Sequence, residues 1–189
     1  MEIFKDLKKD GIVLIGNHQN GNFDRFLINA CVPLSYYLRI KCFRIMAVPQ
    51  PVLIRKIYRP LLWIAGAYNI YKCSGNLEKS LHKTIKIFRK GHNIILFPEG
   101  TIFPEFDPRN ARPGIAYLAK KLNPLIVPVF IENINNITLK DFLLRKRKVK
   151  ISVGKPFYYN NIESSGDLRH EAFIIAGKIA EIKDKGIYA

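Results

Sequence analysis

Gly11-Ile-Val-Leu-Ile-Gly16 runs straight into Asn17-His-Gln-Asn-Gly-Asn-Phe-Asp24. Four consecutive aliphatic residues between two glycines, with no polar residue alternating among them, read as a short strand buried on both faces. Such strands belong to parallel sheets whose two faces are both covered by helices. Asn93-Ile-Ile-Leu-Phe-Pro98 and Leu125-Ile-Val-Pro-Val-Phe-Ile131 repeat the pattern, and Val149 to Val153 alternates. Pro128 has no N–H to give a ladder, which predicts a bulge or an edge position in its strand.

Helices are expected between these strands. Leu77, Leu81, Ile85 and Phe88 recur at helical spacing, with Asn76 as N-cap and Gly91 as the stop. Pro113 suits the first turn of a helix running to about Leu122. Leu168, Ala172, Ile175, Ile179 and Ile182 form one apolar stripe near the C-terminus. Strand and helix alternate without repeat or low-complexity linker, so residues 1–189 read as one domain. The expected fold is an α/β sandwich with a central, largely parallel sheet flanked by helices. In such sheets chemistry sits just past the carboxyl ends of the strands.

The composition narrows the function classes. The chain has 189 residues, 31 Lys plus Arg against 15 Asp plus Glu, and a net charge of +16. Apolar residues at 48% exclude a disordered basic tail. Three Cys exclude a disulfide scaffold and point to a reducing compartment. Met1 to Asp10 alternates charged and apolar residues, which is not a secretory signal, and no uncharged apolar run reaches the roughly 18 residues of a spanning helix. The charge calls for an anionic partner: nucleic acid, an anionic membrane surface or a phosphorylated substrate.

Two constellations follow strand ends. Small, turn-forming residues place His18 in a loop after the first strand, and Asn22 can cap the helix whose first turn holds Asp24. In one continuous helix His18 and Asp24 would lie about 120° apart, so they meet only if the backbone turns at Gly21. A carboxylate on one imidazole nitrogen would leave the other free as a base. The bland alternative is an Asn-rich turn with an exposed His. The second constellation is Phe97-Pro-Glu-Gly-Thr101, then Arg109, Arg112, Pro113 and Gly114. Glu99 and Thr101 can line a polar cleft, and Arg side chains beside a helix N-terminus suit a phosphate. The alternative is a tight turn with a solvated Glu and a solvated basic face.

Together these motifs resemble the glycerolipid acyltransferase family of lysophosphatidic acid and glycerol-3-phosphate acyltransferases. The resemblance spans roughly Gly11 to Phe157. It includes Gly66-Ala-Tyr-Asn-Ile-Tyr-Lys72, Ile126-Val-Pro-Val129 and Val149-Lys-Ile-Ser-Val-Gly-Lys-Pro156. Five residues separate His18 from Asp24, where the family usually has four. Ile102 and Lys72 stand where many members carry Arg. The resemblance implies transfer of an acyl group from acyl-CoA or acyl carrier protein to a hydroxyl of a lysophospholipid, by default 1-acyl-glycerol-3-phosphate. It makes His18 the general base and Asp24 its orienting partner. Glu99, Gly100 and Thr101 then shape the acceptor site, and Lys72, Arg112 and Gly114 take its phosphate. Neither a metal nor a cofactor beyond the acyl donor is expected.

The remaining charge is clustered. Asp141 to Lys150 holds five cations in six positions beside three apolar residues, Arg55 to Ile64 mixes basic and bulky groups, and Arg39, Lys41 and Arg44 form a third group. These suit attachment to an anionic membrane surface. The expectation is a cytoplasmic protein, peripheral on the inner face of the membrane, with no transmembrane helix and no nucleic-acid partner. The competing readings are a basic nucleic-acid-binding module and a non-catalytic member of the same family.

Overall fold

The computed structural model describes residues 11–20, 24–30, 32, 43–47, 66–70, 75–138, 140–141 and 144–185. Six strands form one sheet: β1 (Ile12–Gly16), β2 (Phe43–Ala47), β3 (Ala67–Asn69), β4 (Asn93–Leu96), β5 (Leu125–Glu132) and β6 (Lys150–Val153). The helices are α1 (Asp24–Ala30), α2 (Leu77–Arg89), α3 (Gly114–Leu122) and α4 (Leu168–Lys185). The strand order is β3-β2-β4-β1-β5-β6, parallel throughout except for the antiparallel β5–β6 pair. The expected α/β sandwich with a mixed, mostly parallel sheet is therefore the fold.

The all-aliphatic β1 explains the layering. Successive side chains point to opposite faces, so Val13 and Ile15 join a core with Ile85 of α2, Ile115 and Leu118 of α3, and Ile175 and Ile179 of α4. Ile12 and Leu14 join the opposite core with Ile28 of α1 and with Ile134 and Ile137 beyond β5. All five β1 residues are buried. Each Ile or Leu so buried contributes roughly 1.5–3 kcal/mol of transfer free energy. The α4 stripe of Ala172, Ile175, Ile179 and Ile182 is buried as its spacing predicts.

Local signals match at several ends. The Asn76 side chain accepts the Lys79 N–H at 2.9 Å as the cap of α2. Pro113 immediately precedes α3, and Asn123 closes that helix in the left-handed conformation. Pro128 departs from expectation. It pairs in unbroken register with Ile15 of β1, within an interior strand. Its carbonyl accepts the Gly154 N–H at 2.9 Å, so its missing N–H lies on the β6 side. There the register slips by one residue between Pro128 opposite Gly154 and Ile126 opposite Phe157. The bulge that Pro128 demands is carried by residues 155–156, just past β6, which face Val127.

The topology fixes where ligands go. After β1 the chain leaves through α1 on one face; after β4 it leaves through α3 on the other. β1 and β4 are adjacent and parallel, so the two connections diverge at the carboxyl ends of both strands, the place where sheets of this kind form a crevice.

Candidate active site

The loop after β1 and the turn after β4 meet at that crevice. His18 lies two residues past the end of β1, and Glu99 three past β4. The His18 Nδ1 stands 2.7 Å from Asp24 Oδ2. Asp24 is fully buried, in the first turn of α1. Both its carboxylate oxygens accept the Asn20 N–H, at 3.0 and 2.9 Å, while the Asp24 N–H donates to Asn20 O at 3.1 Å. The loop thus folds back upon itself, and that reversal brings the two side chains together across the five-residue spacer.

With Asp24 ionised, His18 donates Nδ1–H to it. Nε2 makes no hydrogen bond among the described residues, and 11% of the side chain stays accessible. The imidazole stacks on Phe97, with centroids 4.3 Å apart at 16°. The ring is therefore oriented on one edge by a carboxylate and on one face by an aromatic, with the other nitrogen left to act.

Long-range bonds hold the loop. Asn17 is fully buried and pairs with both backbone groups of Ile131: Nδ2 donates to the carbonyl at 2.9 Å, and Oδ1 accepts the N–H at 2.8 Å. Asn20 Nδ2 donates to the carbonyls of Ile134 and Ile137. Gln19 Nε2 donates to Pro104 O at 2.8 Å, and Phe103 N donates to His18 O at 3.0 Å.

Glu99 is fully buried, which excludes the solvated-turn alternative. Its Oε2 accepts the His18 N–H at 3.0 Å, and Oε1 makes no hydrogen bond among the described residues. Burial pushes its carboxyl up to about 7; the His18 and Asp107 amides pull it down, and the charges of Asp24 and Asp107 add to the rise. The folded state therefore holds a proton on Glu99 at pH values where the unfolded chain has lost it. Stability from this group is complete below about pH 4.5 and declines as pH rises towards 7, by about 3 kcal/mol. Glu99→Gln keeps an oxygen for the His18 amide and removes the titration. Urea denaturation at pH 5 and pH 8 should show a smaller loss of stability for the variant than for the wild type. Equal losses would contradict a buried, proton-holding Glu99.

Gly100 turns with φ +65°, and a Cβ there would stand 2.9 Å from Arg112 Cδ, so glycine fits for two reasons. Arg112 lies across this turn: its N–H donates to Pro98 O and its Nε to Glu99 O at 3.0 Å. Its terminal guanidinium nitrogens form no ion pair among the described residues, whereas Arg109 is held by Asp107 at 2.7 Å. Thr101 is exposed beside the turn, and Gly114 opens α3. Lys72 lies outside the described residues, as do Asn22, Arg39, Lys41 and the 55–64 cluster. The structure thus unites His18, Asp24, Glu99, Gly100 and Arg112. Asn17, Asn20, Phe97 and the Ile134–Ile137 segment are additions that the sequence reading had given no role. Their one visible signal is four polar amides, Asn17, Gln19, Asn20 and Asn22, crowded after a buried strand.

A buried carboxylate–imidazole pair thus stands at the switch point of a mostly parallel α/β sheet. The sequence matches the Acyltransferase family over residues 3–132, more than half of its length, and the chain belongs to that family. It is 27% identical over 137 residues to the 1-acyl-sn-glycerol-3-phosphate acyltransferase of Borreliella burgdorferi, covering 72% of this chain and 51% of that protein. The chain thus spans about half the length of that curated relative. Its fold is similar to the crystal structure of the 1-acyl-sn-glycerophosphate (LPA) acyltransferase PlsC from Thermotoga maritima. That match has a TM-score of 0.59 at 19% identity, over 94% of this chain and 68% of the other.

Proposed function

We propose that this protein transfers a fatty acyl group from a thioester, acyl-CoA or acyl carrier protein, to the hydroxyl of a lysophospholipid in phospholipid biosynthesis. The acceptor assigned first is 1-acyl-glycerol-3-phosphate, the substrate class named for the relatives. The 2.7 Å His18–Asp24 contact carries the proposal. A non-catalytic member of the family would have no need to hold that pair buried and in register.

The chemistry follows from the free edge of the imidazole. His18 Nε2 takes the proton of the acceptor hydroxyl as its oxygen attacks the thioester carbonyl. The tetrahedral intermediate collapses with cleavage of the C–S bond, and the imidazolium returns the proton to the thiolate. An ester and a free thiol result, and no acyl-enzyme is required. Asp24 stabilises the transient imidazolium, as in a catalytic triad whose nucleophile belongs to the substrate. General base catalysis of this kind is worth roughly 10²–10⁴-fold.

Glu99 supports the His18 backbone from beneath, and Gly100 and Thr101 form the turn beside it. Arg112, with Lys72 and the start of α3 at Gly114, takes the acceptor's phosphate. The protein works at the anionic inner face of the cytoplasmic membrane. Among the described residues no helix is long and apolar enough to cross a membrane.

A panel of lysolipids, offered with acyl-CoA and with acyl carrier protein donors, tests this reading. The expected result is thiol release that depends on the acceptor and is fastest with 1-acyl-glycerol-3-phosphate. Thiol release indifferent to every acceptor would mark a hydrolase and overturn it.

A further inference from the structure

The connection from β5 to β6 returns at the same edge of the sheet as the site. Lys150 at the start of β6 is paired in register with Glu132 at the end of β5, and their side chains lie 3.2 Å apart. Between them, residues 144–148 are all exposed. Leu144 is 58% accessible, and Arg145, Lys146, Arg147 and Lys148 follow it. Lys146 stands 3.4 Å from Asp141, while Arg145 and Lys148 form no ion pair among the described residues.

This basic segment is hydrogen-bonded to the His18 loop through short links. Arg147 Nη1 donates to Asn135 O at 2.8 Å, and Asn135 Nδ2 donates to Pro104 O at 3.1 Å. The same Pro104 carbonyl accepts Gln19 Nε2, and Asn20 Nδ2 reaches Ile137 O at 2.9 Å. Next to Pro104 in the chain, the Phe103 N–H donates to the His18 carbonyl, and its neighbour Ile102 is 53% accessible. One rim therefore carries two exposed branched aliphatics, an uninterrupted run of four cations and the mouth of the site. Aliphatic groups that enter a headgroup boundary, beside cations that meet anionic headgroups, are the chemistry of an interfacial anchor.

We infer that the rim formed by Leu144–Lys148 and Ile102 is the face that docks on an anionic lipid bilayer, with His18 turned towards the lipid. This deepens the acyl-transfer reading and rests on it for what the membrane delivers; the docking itself is measured without turnover. The segment and the His18 loop are braced together, so docking sets the orientation of the site and not merely the residence of the protein.

The experiment is flotation with vesicles of phosphatidylcholine alone or mixed with phosphatidylglycerol, at low and high salt. The wild type should bind the mixed vesicles and release them as salt rises. Loss of three cations in Arg145→Gln/Lys146→Gln/Lys148→Gln, which spares Arg147 and its bond to Asn135, should weaken partitioning about 100-fold, at roughly fivefold per charge. Circular dichroism checks its fold, and Leu144→Ser, which changes no charge, should weaken binding independently. His18→Ala should float like the wild type; if it does while the wild type transfers no acyl group, the reaction assignment fails and the docking face stands. Hydrogen exchange should show vesicle protection at residues 100–106 and 133–148, and none at the opposite edge around Tyr159–Asn161. Unchanged flotation of both variants, protection at the opposite edge, or protection of 144–148 by acyl carrier protein without vesicle binding would each overturn the inference.

Discussion

Asp24→Asn is expected to lower turnover by about 10²–10⁴-fold while leaving the protein folded. The substitution preserves volume at a fully buried position, so no cavity forms. The change lies in which atoms donate. Asp24 accepts from two donors at once, the Asn20 N–H and the His18 Nδ1. A carboxamide has one oxygen for these two partners. If that oxygen stays with the Asn20 amide, the NH₂ faces Nδ1, and two donors cannot pair. His18 must then carry its proton on Nε2 and accept on Nδ1, which removes the base from the edge that meets substrate. If the amide flips, its oxygen keeps the His18 Nδ1–H and still reaches the Asn20 N–H, but its NH₂ then opposes that N–H at the Oδ1 position and weakens the loop's reversal. Either outcome costs about 1–3 kcal/mol of stability, the usual penalty of a buried unpaired donor. Turnover at saturating acceptor and a thermal melt check both parts. Activity within about threefold of the wild type would show that His18 does not need this tautomer.

The layers of the fold were legible because they depend on local pattern. β1, β4 and β5 are short aliphatic runs with turn residues at their ends, and α2 and α4 keep apolar residues at helical spacing, α2 with a cap and a stop besides. Pro128 shows where local reading ends. A proline must disturb a ladder somewhere, yet whether the disturbance falls in β5 or across from it depends on which side its missing N–H faces. That is decided by register with β1, not by the residue.

The site divides in the same way. His18 and Asp24 were legible as chemistry, because an imidazole and a carboxylate in a turn after a buried strand can form a base. Their supports were not. Asn17 bonds to Ile131, 114 residues away, and His18 to Glu99, 81 residues away. No periodicity encodes such pairs; they follow from β1 lying between β4 and β5. Glu99 is the clearest case. Pro-Glu-Gly-Thr reads equally well as an open turn or as a cleft wall, and only the adjacency of two strand ends buries its carboxyl under the His18 amide. The charge of +16 shows the same limit. Composition could not say which surface the cations occupy, whereas Arg147 and Asn135 tie one group of them to the rim of the site.

In the proposed reaction His18 activates the acceptor's hydroxyl. His18→Ala removes the base without unpairing Asp24, whose oxygens keep the Asn20 amide. The most direct measurement follows acylated lysophospholipid and free thiol together, from a labelled acyl thioester, for wild type and for His18→Ala of matching melting temperature. The expected result is equimolar ester and thiol from the wild type, dependent on acceptor, and a loss of about 10³-fold or more in both from the variant. A folded His18→Ala protein that forms ester at close to the wild-type rate would contradict it.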